Sequence, residues 1–111
     1  MTVYLAGKMR GVEKFNFPRF EAAAKDLESK GWTVLSPHRM DLEIGFDPNK
    51  TLEAQNFHIE DCVRRDVDAI IKSDAIALLP RWTTSAGATC EYYLARWLRK
   101  KIYQYPTMQE I

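Results

Sequence analysis

Only two cysteines, Cys62 and Cys90, occur in the 111 residues, and their spacing is neither that of a metal knot nor that of a disulfide scaffold. Both fall inside predicted helices and read as core thiols of a protein kept in a reducing compartment, so a cytoplasmic location is expected. No apolar run approaches the roughly 20 residues of a membrane span. The N-terminus enters a strand pattern with neither a basic region nor a long apolar stretch, and a soluble chain is expected. No charge sign dominates, with 16 Lys and Arg against 15 Asp and Glu. Such a balance provides no strong field to recruit nucleic acid or an anionic membrane, so neither is expected as a partner, and binding should be local and pocket-like. The two histidines, His38 and His58, have no third ligand at a recognisable spacing. No metal is therefore expected, and both are placed in a loop or on a helix surface.

What the sequence does contain is 46% hydrophobic residues, enough for one domain over residues 1–111. "TVYLAG" is a short apolar and β-branched run closed by Gly7, which reads as a buried strand followed by a polar loop over 7–15. A helix follows, with Asn16 as cap, Pro18 in its first turn, Phe17, Phe20, Ala24 and Leu27 at helical spacing, and Gly31 as the stop. "WTVLSP" is a second strand. Residues 37–50, containing Gly45 and Pro48, read as a long loop. Residues 51–73 read as a second helix, "DAIALLP" as a third strand, 87–100 as a third helix, and "KIYQY" as a last strand. Strands alternating with helices imply an α/β, Rossmann-like parallel sheet of four or five strands in the flavodoxin-like order 2-1-3-4, with helices on both faces. Ligands of such sheets sit beyond the carboxyl ends of the strands where the order reverses, which draws attention to loops 7–15 and 80–87.

Two carboxylates occupy positions where charge is unfavourable. Glu91 shares a helical face with Leu94, Ala95 and Leu98, and Asp66 falls on the stripe formed by Ile59, Val63, Val67 and Ile70. Buried carboxylates concentrate where pKa values and nucleophiles are tuned. Each could instead pair with a buried base. Glu91 lies just beyond the start of its helix, whose free N–H groups favour an anion, so it is expected to stay ionised. At that helix start Ser85 and Gly87 suit a phosphate, although Ser85 equally suits a simple N-cap. In "AGKMRG", Gly7 and Gly11 free the backbone and Lys8 and Arg10 add charge, with Met9 between them, forming a second candidate anion site. Trp82 is either a stacking surface for a nucleobase or a loop anchor. Trp32 and Trp97 read as core or interface residues, and Arg96, Arg99, Lys100 and Lys101 as a solvated helix end.

Three separated motifs, "YLAGKMRG", "RRDVDAIIKSDAIALL" and "SAGATCE", resemble the nucleoside 2-deoxyribosyltransferase family and its relatives, the 2'-deoxynucleoside 5'-monophosphate N-hydrolases, over residues 2–104. "NFPRFEAAAKDLESKGWTVLSP" and "LLPRW" resemble a small deoxyribosyltransferase-like domain of bacteriophages and prophages. By position, the resemblance implies that Glu91 is the nucleophile that attacks C1' of the sugar. It implies that Asp66 positions sugar or base and assists proton transfer, and that Tyr4 orients the nucleophile. Gly7, Lys8, Met9, Arg10, Ser85, Gly87 and Trp82 become candidate substrate contacts. Where transferases acting on free nucleosides carry an Asp six residues before the nucleophile, this chain has Ser85, as the monophosphate hydrolases do, which favours a phosphorylated substrate. Lys8 departs from both patterns. The implied substrate is a small deoxynucleotide, the implied cofactor none, and the implied assembly a homodimer or larger homo-oligomer. The transferase segment that completes a neighbour's site is not expected here. A non-catalytic nucleotide-binding protein stands as the alternative.

Overall fold

The computed structural model describes residues 1–111. The central strand β1 (Thr2–Ala6) divides its side chains by strict alternation: Val3 and Leu5 enter one core cluster, Tyr4 and Ala6 the other. The first cluster is closed by α1 (Phe17–Ser29), through Phe20, Ala23, Ala24 and Leu27. On the opposite face α3 (Ile59–Lys72) and α4 (Ala86–Trp97) contribute Ala69, Ile70, Ala88 and Ala95. Truncating Phe20 or Leu27, both fully buried, costs about 2–5 kcal/mol through lost burial and the cavity left behind.

β2 (Thr33–Leu35), β3 (Ala75–Leu78), β4 (Lys101–Gln104) and β5 (Gln109–Glu110) complete the sheet in the order β2-β1-β3-β4-β5. β1 runs parallel to both β2 and β3, and β3 is parallel to β4. The expected order 2-1-3-4 and the α/β class are borne out. The added β5 pairs antiparallel with β4, Tyr103 opposite Glu110, and is too short to show a pattern in sequence.

Several expectations need correction. Residues 37–43, read as loop, form helix α2 (Pro37–Glu43), opened by Pro37 at its first position; seven residues are too few for a helical period to register. Residues 51–58 are not helical. They are organised instead by Gln55, whose amide donates to the Asp47 carbonyl at 2.9 Å while its oxygen accepts the Asp47 N–H at 2.8 Å. α3 therefore begins only at Ile59, with Glu60 and Asp61 in its first turn, where the helix dipole favours them. His38 is neither in a loop nor on a surface: it is buried, bonded to Ser36 Oγ and, through Nε2, to Glu21 at 2.8 Å. Burial pushes its pKa down, so it is held neutral. Arg39 adds a fork to Glu21 and Glu28, and together these bonds fasten α2 to α1. Cys62 is buried as expected, but Cys90 is exposed. Trp97 is 83% exposed and so is not a core residue, whereas Trp32 packs edge-on to Tyr103. No helix is long and apolar enough to cross a membrane.

Candidate active site

A cavity of about 650 Å³ opens at the carboxyl ends of β1 and β3, the place the strand order predicts. Gly7, Lys8, Met9 and Arg10 form one wall, and Ser85, Gly87 and Glu91 of the α4 start form another. Asp66 reaches the cavity from α3, together with Ile59, Val63 and Val67. The apolar stripe of α3 thus divides: Cys62, Ala69 and Ile70 are buried, while Ile59 and Val63 border the cavity and are half exposed.

Glu91 and Asp66, 25 residues apart in sequence, are brought to one cavity, with Tyr4 behind them. The Tyr4 hydroxyl donates to Glu91 Oε2 at 2.6 Å. Tyr4 is fully buried and is not part of the cavity wall, which it touches through Glu91. Burial raises the Glu91 pKa to about 8, the Tyr4 bond opposing and the Asp66 charge adding to the rise. This corrects the expectation of a carboxylate kept ionised by the helix start. Glu91 sits in the second turn of α4, past the free N–H groups, and desolvation outweighs the dipole. Burial likewise raises Asp66 to about 6, against the attraction of Arg65.

The flanking residues show two kinds of constraint. Ser85 Oγ accepts the Ala88 N–H at 3.1 Å, so Ser85 is the N-cap of α4, yet its hydroxyl proton remains available to a ligand. A Cβ on Gly87 would meet nothing nearer than Ser85 Oγ at 3.9 Å, leaving open space for a ligand at the helix start. Gly7 differs: a Cβ there would lie 2.9 Å from Leu79 Cβ, so this glycine is demanded by packing against the chain after β3. Gly11, at φ +78°, makes the turn that ends the loop. The Arg10 guanidinium stacks over Phe57, 5.5 Å from its centroid. Trp82 packs 4.7 Å from Tyr92 and lies outside the cavity wall, which is the loop-anchor geometry.

Among the wall residues that sequence reasoning did not single out are Asp41, Arg65, Phe46 and Phe57. Arg65 could have been found from its place beside Asp66. Asp41, Phe46 and Phe57 lie in segments whose structure was misread, and no local signal marks them. No group of three His, Cys, Asp or Glu side chains is arranged to hold a metal.

The fold recurs in solved structures. A 2-deoxyribosyltransferase from the psychrotolerant bacterium Bacillus psychrosaccharolyticus superposes with a TM-score of 0.70 at 20% identity, over 94% of this chain and 71% of that one. A CMP N-glycosidase from Clostridium botulinum superposes with a TM-score of 0.62 at 27% identity, over 94% and 70%. No protein of curated function matches the sequence. The family model that does match, described as a domain of unknown function (DUF4406), covers residues 1–104, and the chain belongs to that family.

Proposed function

We propose that this protein cleaves the N-glycosidic bond of 2'-deoxynucleoside 5'-monophosphates through a deoxyribosyl ester on Glu91, with water as the final acceptor. The observation that carries this reading is a partly buried glutamate, fixed by the Tyr4 hydroxyl at 2.6 Å, sharing the cavity wall with a second partly buried carboxylate, Asp66. Near neutral pH the two carboxyls together carry one proton, which rests on Glu91, the group with the higher pKa, and the reactive form is the one in which it has passed to Asp66. With that proton on Asp66, Glu91 attacks C1' as a carboxylate, and the C1'–N bond breaks with its electron pair going to the base, which takes the proton from Asp66. Water then adds to C1', gives a proton to Asp66, and releases Glu91 as carboxylate. Two displacements at C1' give net retention through oxocarbenium-like transition states. Tyr4, hydrogen-bonded to one oxygen of Glu91, leaves the other to the sugar.

Ser85, the open backbone at Gly87 and the cations of Arg10 and Lys8 form a phosphate-compatible edge of the same cavity. The Clostridium botulinum protein is named for a nucleoside monophosphate, which supports a phosphorylated substrate here. The test is a panel: purified protein with each deoxynucleoside, its 5'-monophosphate and the ribonucleotides, with and without an added acceptor base, followed by chromatography for released base. Release from deoxynucleoside monophosphates is expected, falling by several orders of magnitude in Glu91→Gln. Base exchange that requires the added acceptor would make the protein a transferase. A thermal shift with one nucleotide and no release from any would make it a binding protein and overturn the catalytic reading.

A further inference from the structure

Asp66 is held by its sequence neighbour and, through that neighbour, is tied to a residue of α2. Arg65, the adjacent residue, donates both Nε, at 3.0 Å, and Nη2, at 2.9 Å, to a single oxygen, Oδ1 of Asp66. The same Nη2 lies 2.8 Å from Oδ1 of Asp41. Asp41 belongs to α2, which the Glu21, His38 and Arg39 bonds fix to α1, so the guanidinium is gripped between two helices. The grip is one-sided: Arg65 Nη1 is buried and has no hydrogen-bond partner. Committing Oδ1 to two donors fixes the plane of the Asp66 carboxyl and leaves Oδ2 without a basic partner.

We propose that Asp41 and Arg65 are positioning residues for Asp66: Asp41 holds and shares the Arg65 charge, so that Arg65 orients the Asp66 carboxyl without keeping it permanently ionised. The proposal rests on the reading of Asp66 as proton carrier. The charged and titratable groups facing this centre are Tyr4 from β1, Cys62 and Arg65 from α3, Asp41 from α2 and Glu91 from α4, with His38 behind Asp41. Among them only Arg65 is a cation at neutral pH. An Arg engaged with Asp66 alone would hold a carboxylate well below the range useful for proton transfer. Asp41 both divides that attraction and repels a second negative charge.

Two variants that break the same ion pair then act in opposite directions. In Asp41→Asn, Asp66 loses a like charge and its protonation midpoint moves down. In the double variant Asp41→Asn, Arg65→Gln, which leaves no unpaired Asp41 charge in the interior, the midpoint moves up by about one unit or more. The direct readout is the carbon-13 titration of the Asp66 carboxyl in the whole protein without substrate, assigned with Asp66→Asn. It is paired with the pH dependence of base release on any nucleotide cleaved. Arg65→Lys, which keeps charge and loses the fork, is expected to lower kcat at least tenfold with little change in KM. Midpoints that move the same way in both variants, or do not move, overturn the proposal and leave the pair a structural brace; so does a wild-type kcat in Arg65→Lys. If no nucleotide is cleaved, the proposed function fails, while the carboxyl titration still decides the role of the pair.

Discussion

Glu91 is held where ionising it is unfavourable, and this has a measurable consequence for stability. Its pKa rises from the ordinary 4.5 to about 8 on folding, so between those values the folded chain binds the proton more tightly than the unfolded chain. Stability from this group is therefore complete below about 4.5 and falls as pH rises towards 8. Glu91→Gln keeps an acceptor for the Tyr4 hydroxyl and removes the titration. Its Tm is expected to lie close to that of the parent at pH 5 and several degrees above it at pH 8.5, read by calorimetry. Parallel Tm curves would show that the carboxyl is not held in a desolvated site. Glu91 and Asp66 were legible in the sequence because each breaks an apolar stripe. Arg65 could be suspected from its place beside Asp66, but Asp41 could not, since it is 24 positions from Arg65 in a segment read as loop.

At the level of elements, helices and strands with long apolar patterns were read correctly, and errors gathered where side chains override pattern. α2 is short and held by the polar chain Ser36–His38–Glu21 with Arg39, none of which has periodicity. Residues 51–58 carry helix-forming composition but are folded by Gln55 into a turn structure. The two glycines at the cavity, Gly7 after β1 and Gly87 in the first turn of α4, separate by function. Gly7→Ala is expected to destabilise the chain by about 1–3 kcal/mol in urea unfolding, because the new methyl meets Leu79 at 2.9 Å. Gly87→Ala meets nothing so close, and is expected to leave stability unchanged or raised by about 0.4–1 kcal/mol while weakening KM for a phosphorylated substrate. Equal stabilities for the two variants would contradict this division.

The whole molecule follows from the order of its strands: β1 and β3 lie side by side at the centre, and the cavity lies where their carboxyl ends meet the start of α4. That much was legible because alternation of strand and helix admits few topologies. What was not legible is the aromatic wall from Phe46 and Phe57, contributed by residues between α2 and α3. The surface also carries an uncovered apolar strip on α4, with Trp97 83% and Tyr93 59% exposed. The homodimer implied by the resemblance would bury it. Light scattering is expected to give a dimer mass that falls to the monomer in Trp97→Glu, and a monomeric parent at high concentration would contradict that assembly.

The most direct measurement of all is mass spectrometry of the protein quenched in acid during turnover of a deoxynucleoside monophosphate. The result expected is one added phosphodeoxyribosyl group on the peptide containing Glu91, absent in Glu91→Gln. Base release that continues in Glu91→Gln, or an adduct on another residue, would contradict the assignment of Glu91 as the group that carries the sugar.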